Sequence, residues 1–238
     1  MKPRLLAPEE LAARIDYAVL RDPTPPRIEA ALEEAERLGL RAITTYHTMI
    51  DWLRGRTRRV KLAAVIDFPH GASHIEAKVK AAEQAITHGA QEIEFVVNIW
   101  RWLRGDHEYV VNEVRALSRI AWATGVASKA IIETSFLDLG QLRALLEAVT
   151  RLDPEERPNY IKMNTGWFAR GVRPAEVELA AMIVKPLGMG VKAAGGIRDA
   201  YTASLLIELG ADIIGSSSPS RLVEDAREAA QLRQVSSR

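Results

Sequence analysis

Short apolar runs recur along the chain at 15–20, 41–46, 62–67, 92–98, 128–134, 159–164, 190–194 and 212–216. Each has the length and composition of a buried strand. Between them lie segments with apolar residues at helical spacing. The segment 26–38 carries Ile28, Ala31, Leu32, Ala35 and Leu38 on one stripe, with Thr24 as N-cap and Gly39 as stop. The segment 73–88 opens on Ser73-His74-Ile75-Glu76, which reads as a capping box, and stops at Gly89. Further helices are expected at 106–123, 139–150, 174–184, 200–209 and 220–232, with a short one near 49–55 and a leading one at 8–14. Eight strand-then-helix units over about 250 residues predict an α/β fold, a closed (β/α)8 TIM barrel preceded by a short extra helix. An open doubly wound sheet is the alternative. It more often shows a glycine-rich fingerprint after its first strand, and residues 20–26 carry none. No linker or composition break divides residues 1–238, so one barrel domain is expected.

Composition narrows the class. The chain has no cysteine, which excludes disulfides, thiolate metal ligands and a cysteine nucleophile. A net charge of +1 argues against a nucleic-acid-binding surface. The five histidines are scattered, and no metal site or cofactor is expected. No apolar run approaches the ~18 residues of a membrane span. The opening Met1-Lys2-Pro3-Arg4 leads into only two leucines before Pro8, unlike a secretory signal. The expectation is a cytoplasmic enzyme with no membrane or nucleic-acid partner.

The informative chemistry is a pair of lysines inside apolar strands. Only 8 of the 32 basic residues are lysine. Lys162 lies in Tyr160-Ile161-Lys162-Met163-Asn164, and Lys192 in Gly190-Val191-Lys192-Ala193-Ala194. A buried ammonium costs several kcal/mol unless paired or neutralised. A desolvated lysine beside a second cation becomes a nucleophilic amine, the basis of Schiff-base catalysis. A lysine snorkelling from a strand end is the plainer alternative for either residue alone. Alternation in a barrel places Ile161, Met163, Val191, Ala193, Ile93, Phe95 and Val97 outward. Lys162, Lys192, Glu94 and Asp16 then face the lumen, with Lys129 and Glu133 of strand five as further candidates. Tyr160, Asn164, Glu92, Val96 and Asn98 fall on the same inward face. Gly195-Gly196 after strand seven and Gly215-Ser216-Ser217-Ser218 after strand eight suit a phosphate, since small residues let backbone N–H groups approach an anion.

These residues resemble the deoxyribose-phosphate aldolase family. The likeness rests on Lys192-Ala193-Ala194-Gly195-Gly196-Ile197-Arg198, on Lys162 with Thr165-Gly166, and on Gly215-Ser216-Ser217-Ser218. It extends to Phe68-Pro69-His70-Gly71, Gly89-Ala90-Gln91-Glu92-Ile93-Glu94 and Ile131-Ile132-Glu133-Thr134. It runs in order from about Ile15 to Val223. The resemblance implies a metal-free class I aldolase that reversibly cleaves 2-deoxy-D-ribose 5-phosphate to D-glyceraldehyde 3-phosphate and acetaldehyde. It implies Lys162 as the Schiff-base lysine, Lys192 as the cation that lowers its pKa, and Glu94 in place of the family's proton-relaying aspartate. Asp16, Thr165, Gly166, Gly195, Gly196, Ser217 and Ser218 correspond to substrate-binding positions. The implied partners are a phosphorylated sugar and further copies of the chain, as a dimer or tetramer. The chain departs from the family's Lys-Thr-Ser-Thr-Gly by reading Lys162-Met163-Asn164-Thr165-Gly166, and Ala18 stands where a threonine is usual. Two alternatives stay open: a Schiff-base aldolase for another sugar phosphate, and a silent sugar-phosphate-binding barrel.

Overall fold

The computed structural model describes residues 4–168 and 170–236. Eight strands close a barrel in chain order: β1 Ile15–Ala18, β2 Ala42–Tyr46, β3 Lys61–Ile66, β4 Glu92–Val96, β5 Ala127–Ile131, β6 Tyr160–Lys162, β7 Gly190–Ala194 and β8 Ile213–Ser216. All neighbouring pairs are parallel, and β1 pairs with β8 to complete the ring. The α-helices are α1 Pro8–Ala12, α2 Pro25–Leu38, α3 Ile50–Leu53, α4 Ile75–Thr87, α5 Ile99–Leu103, α6 His107–Thr124, α7 Leu139–Thr150, α8 Pro174–Val184, α9 Ala200–Glu208 and α10 Pro219–Ser236. None is long and apolar enough to cross a membrane.

The outward strand residues form one continuous core with the helices. It includes Ile15, Tyr17, Ile43, Leu62, Ala64, Ile93, Phe95, Ala130, Ile161, Val191, Ala193 and Ile214. The inward apolar residues Ala63, Val65, Val96 and Ile131 are equally buried but stand outside that cluster. The alternation read from the sequence is therefore the true facing. The lumen is left to small, branched and charged side chains. Gly190 shows how tightly it closes: a Cβ there would run into the Tyr160 ring.

Three expectations shift. Strand five stops at Ile131, because Glu133 takes a left-handed backbone (φ 43°) and a 3-10 turn, Thr134–Phe136, follows. The helix expected from Ser73 begins at Ile75, and no side chain caps it. Ser73 is drawn instead to Asp67, whose carboxylate accepts from its backbone N–H and its hydroxyl, both at 2.8 Å. The sequence also hides α5, whose N-cap is Asn98: its side chain accepts from the Arg101 N–H and so leaves the lumen.

A second buried ion pair braces the outside of the barrel. Lys78 of α4 lies on the buried stripe with Ala82 and Ala85. Its Nζ donates to Glu113 of α6 (2.5 Å) and to the carbonyls of Gly71 and Val96, both at 2.8 Å. Glu113 in turn accepts from the Asn98 N–H at 2.7 Å. The pair thus ties α4 and α6 to the loop after β3 and the end of β4. Removing one partner of such a pair strands a buried charge, at a cost of about 3–5 kcal/mol. Lys78→Met is expected to lower unfolding free energy by about that amount in urea titration. A loss under about 1 kcal/mol, within the range of surface substitutions, would show that the pair does not brace the barrel.

Candidate active site

The lumen holds a column of opposite charges. At the N-terminal end of the strands, Arg41 grips Asp16 (Nε to Oδ1, 2.6 Å) and Glu92 (Nη1 to Oε1, 2.7 Å). Lys129 of β5 sits above them. Its Nζ donates to Asp16 Oδ2 at 2.7 Å and Glu94 Oε1 at 2.8 Å, and lies 2.6 Å from Glu92 Oε2. Lys192 donates to Asp16 Oδ2 at 2.7 Å and Glu94 Oε1 at 2.6 Å. Lys162 donates to the other oxygen, Glu94 Oε2, at 2.7 Å. Lys162 and Lys192 are direct register partners on β6 and β7, as Glu94 and Lys129 are on β4 and β5. One carboxylate therefore receives three lysine amines.

Electrostatics set each group's state. Burial alone would raise the Asp16 and Glu94 carboxyls, but the surrounding lysines outweigh it and hold both well below the usual carboxylate range. Arg41 adds to this effect at Asp16. Burial also disfavours a charge on Lys129, yet Asp16, Glu94 and Glu92 together raise its pKa. Lys192 goes the other way. Burial lowers it, Asp16 and Glu94 only partly compensate, and Lys129 and Lys162 repel its proton, leaving it at about 8. The buried column thus sets three carboxylates against Arg41 and three lysines. Lys61 also reaches Glu92 from the exposed side, at 3.5 Å, so basic side chains outnumber the three carboxylates.

Above the column a cleft of about 630 Å³ opens at the C-terminal ends of the strands. Lys162 and Lys192 form part of its lining, while Asp16 and Glu94 lie beneath them, fully buried. Thr165, Gly166, Gly195, Gly196, Ser217 and Ser218 border the same cleft. Gly195 and Gly196 need their glycines: both have positive φ (97° and 77°), and the Gly195 carbonyl accepts from the Val172 N–H of the folded-back β6 loop. Ser217 and Ser218 precede the first turn of α10, whose free N–H groups favour an anion there.

Glu133 does not join the lysines. It braces the loop after β6 instead, accepting from the Thr165 N–H at 2.9 Å and from the hydroxyls of Thr165 and Ser135. Its left-handed backbone turns the side chain away from the face that strand alternation assigns it. Asn164 likewise bonds Thr134 rather than facing the lysine pair. Sequence reasoning set Glu92 inward without joining it to the cluster and missed Arg41, which lies one residue before β2, where alternation gives no inward signal. It also missed Phe68 as part of an aromatic wall with Trp167. Trp167 packs edge-on to Phe68 (5.9 Å), and Phe68 lies 6.0 Å from the Lys162 amine.

Comparison with known proteins accords with this geometry. No family model matches the chain. A deoxyribose-phosphate aldolase of Thermococcus kodakarensis is 36% identical over 222 residues, covering 91% of this chain and 97% of that one. One from Mycoplasmopsis pulmonis is 32% identical over 219 residues, covering 91% and 96%. Among solved structures, a tetrameric deoxyribose phosphate aldolase from Aeropyrum pernix superposes with a TM-score of 0.84 at 32% identity, covering 94% of this chain and 93% of that one. An aldolase designated QR15 gives 0.84 at 31%, covering 93% and 98%. With its closed barrel and identities above 30% over nine-tenths of its length, the chain belongs to the deoxyribose-phosphate aldolase family.

Proposed function

We propose that the chain cleaves 2-deoxy-D-ribose 5-phosphate to D-glyceraldehyde 3-phosphate and acetaldehyde, reversibly, through a Schiff base on Lys162. The observation that carries this reading is the lysine pair. Two amines adjacent in register share one buried carboxylate at the floor of a cleft whose other end is a cup of glycines and serines. At neutral pH Lys192 keeps its proton, since its pKa is about 8. Lys192 is held by two carboxylates, Asp16 and Glu94, and Lys162 by Glu94 alone, so Lys162 is the amine assigned to attack the carbonyl.

The Lys162 amine adds to the aldehyde carbon, and loss of water gives the imine. The protonated imine accepts the electrons of the C2–C3 bond as the C3 hydroxyl loses its proton. Glyceraldehyde 3-phosphate leaves. The remaining enamine is protonated at carbon and hydrolysed to acetaldehyde. Glu94, in contact with both amines, moves protons in these steps directly or through one water. Asp16 is a positioning residue: it holds Lys192 from below and, with Lys129, fixes Glu94. Gly166, Gly195, Gly196, Ser217 and Ser218 supply the phosphate cup, and Thr165 shapes its wall. Binding the remote phosphate orients the reacting carbons over Lys162.

The family tie and the tetrameric relative support a homo-oligomer. We read the enzyme as working in the cytoplasm. The exposed Trp100 and Leu103 of α5 suit a contact between copies, whereas Trp102 is buried against His107. Light scattering decides between dimer and tetramer.

Two measurements test the chemistry. Acetaldehyde with borohydride is expected to leave a stable adduct on Lys162, mapped by mass spectrometry and lost in Lys162→Ala; an adduct elsewhere overturns the assignment. The proton on Lys192 is lost as pH rises through about 8. Accordingly, kcat/KM should fall on an alkaline limb near that value, about tenfold per pH unit beyond it. The apparent pKa belongs to the coupled pair. A profile flat from about pH 7 to about pH 10, spanning the shifted and ordinary lysine values, would contradict the charge-sharing account.

A further inference from the structure

We infer that Arg21 is a specificity-determining residue, a guanidinium strap across the barrel mouth that selects substrates carrying a phosphate. This rests on the reading of the cleft as a sugar-phosphate site and extends it to a residue outside the cup.

Arg21 stands on the loop after β1. Its Nη2 donates to the carbonyls of Gly166 (3.0 Å) and Trp167 (3.3 Å), 145 and 146 residues further along the chain. Its guanidinium lies 4.7 Å from the centroid of the Trp167 ring. β1 and β6 are separated in the barrel by β7 and β8. The side chain therefore spans the sector from which Gly195-Gly196 and Ser217-Ser218 rise, and it borders the cleft they line.

One nitrogen makes both hydrogen bonds. An arginine has five N–H donors, so the three on Nε and Nη1 remain without a protein acceptor among the described residues. No carboxylate pairs with Arg21 among those residues. Arg198 and Arg221 border the same cleft and are equally without an ion pair there, while Asp22 is the one acid in its lining. Uncompensated guanidinium groups around a concave site focus a positive potential. Their forked donors match phosphate oxygens. A neutral sugar has nothing to set against that charge. The strap also reaches the nucleophile: Trp167 packs on Phe68, and Phe68 faces the Lys162 amine. Phosphate held by Arg21 would thus steady the loop that follows Lys162.

A purely structural role, holding the β6 loop in place, would act on every substrate alike. The test therefore compares 2-deoxyribose 5-phosphate with unphosphorylated 2-deoxyribose in the full-length enzyme. Arg21→Gln is expected to lower kcat/KM at least about tenfold more for the phosphorylated sugar, mostly through KM, as befits loss of a charge-assisted hydrogen bond. Arg21→Lys, which keeps the charge but not the fork, should recover part of the loss. Equal losses on both sugars, or no loss on either, overturn the proposal. Should the parent enzyme turn over both sugars equally yet still give the borohydride adduct on Lys162, the phosphate cup and the strap fall together while the aldolase reading stands. Absence of that adduct in the parent enzyme removes the aldolase reading and the inference with it.

Discussion

Everything in the barrel interior depends on one carboxylate. Glu94 is fully buried and receives Lys129, Lys162 and Lys192 within 2.8 Å. Removed from water, that carboxylate is tolerable only because the amines surround it, and the amines only because it and Asp16 are there. The cluster also cannot hold every proton. Arg41, Lys129 and, from the exposed side, Lys61 already draw on its three carboxylates before the pair at the floor of the cleft is counted. On the proposed mechanism, a shortage of countercharge is what lowers the Lys192 pKa beside the nucleophile.

This shortage explains the architecture of the column. Arg41 at the base carries a charge that cannot be titrated away. Lys129 in the middle is locked in its protonated form by three acids. Only at the top, where the lysines outnumber the charge left to them, does a pKa come near neutrality. The helical jacket supplies rigidity from outside. The Lys78–Glu113 pair holds the loop after β3 and the end of β4, the strand that carries Glu94. A chemically useful amine is thus held between two buried ionic networks, one inside the barrel and one around it.

Much of this was legible in the chain. The 2-residue alternation of Ile161, Lys162 and Met163, repeated at Val191, Lys192 and Ala193, fixed both lysines on the inner face, because the outward neighbours had to meet helices. The glycines after strand seven were legible for the same kind of reason: Gly195 takes a positive φ and lies close against the loop after β6. What failed to show were contacts that alternation does not govern. Glu133 was expected inward, but its left-handed backbone aims it at Thr165. Ser73 had the pattern of an N-cap and was claimed by Asp67 instead. Lys78 sits on a buried helical stripe with Ala82 and Ala85, a spacing visible in the sequence but easily passed over in a charged residue. Arg21 reaches its partners across more than half the chain, which no local pattern signals.

Glu94 is the shared countercharge on which the lysine pair depends. The direct measurement is the pH dependence of kcat in Glu94→Gln, beside the parent enzyme. Removing the negative charge takes away what supports a proton on Lys192. The alkaline limb should therefore move to lower pH, and kcat should fall by about 10²–10⁴-fold with loss of the proton-moving group. A variant that keeps kcat within about tenfold and its limb unmoved would show that the lysine pair is set by something other than this carboxylate.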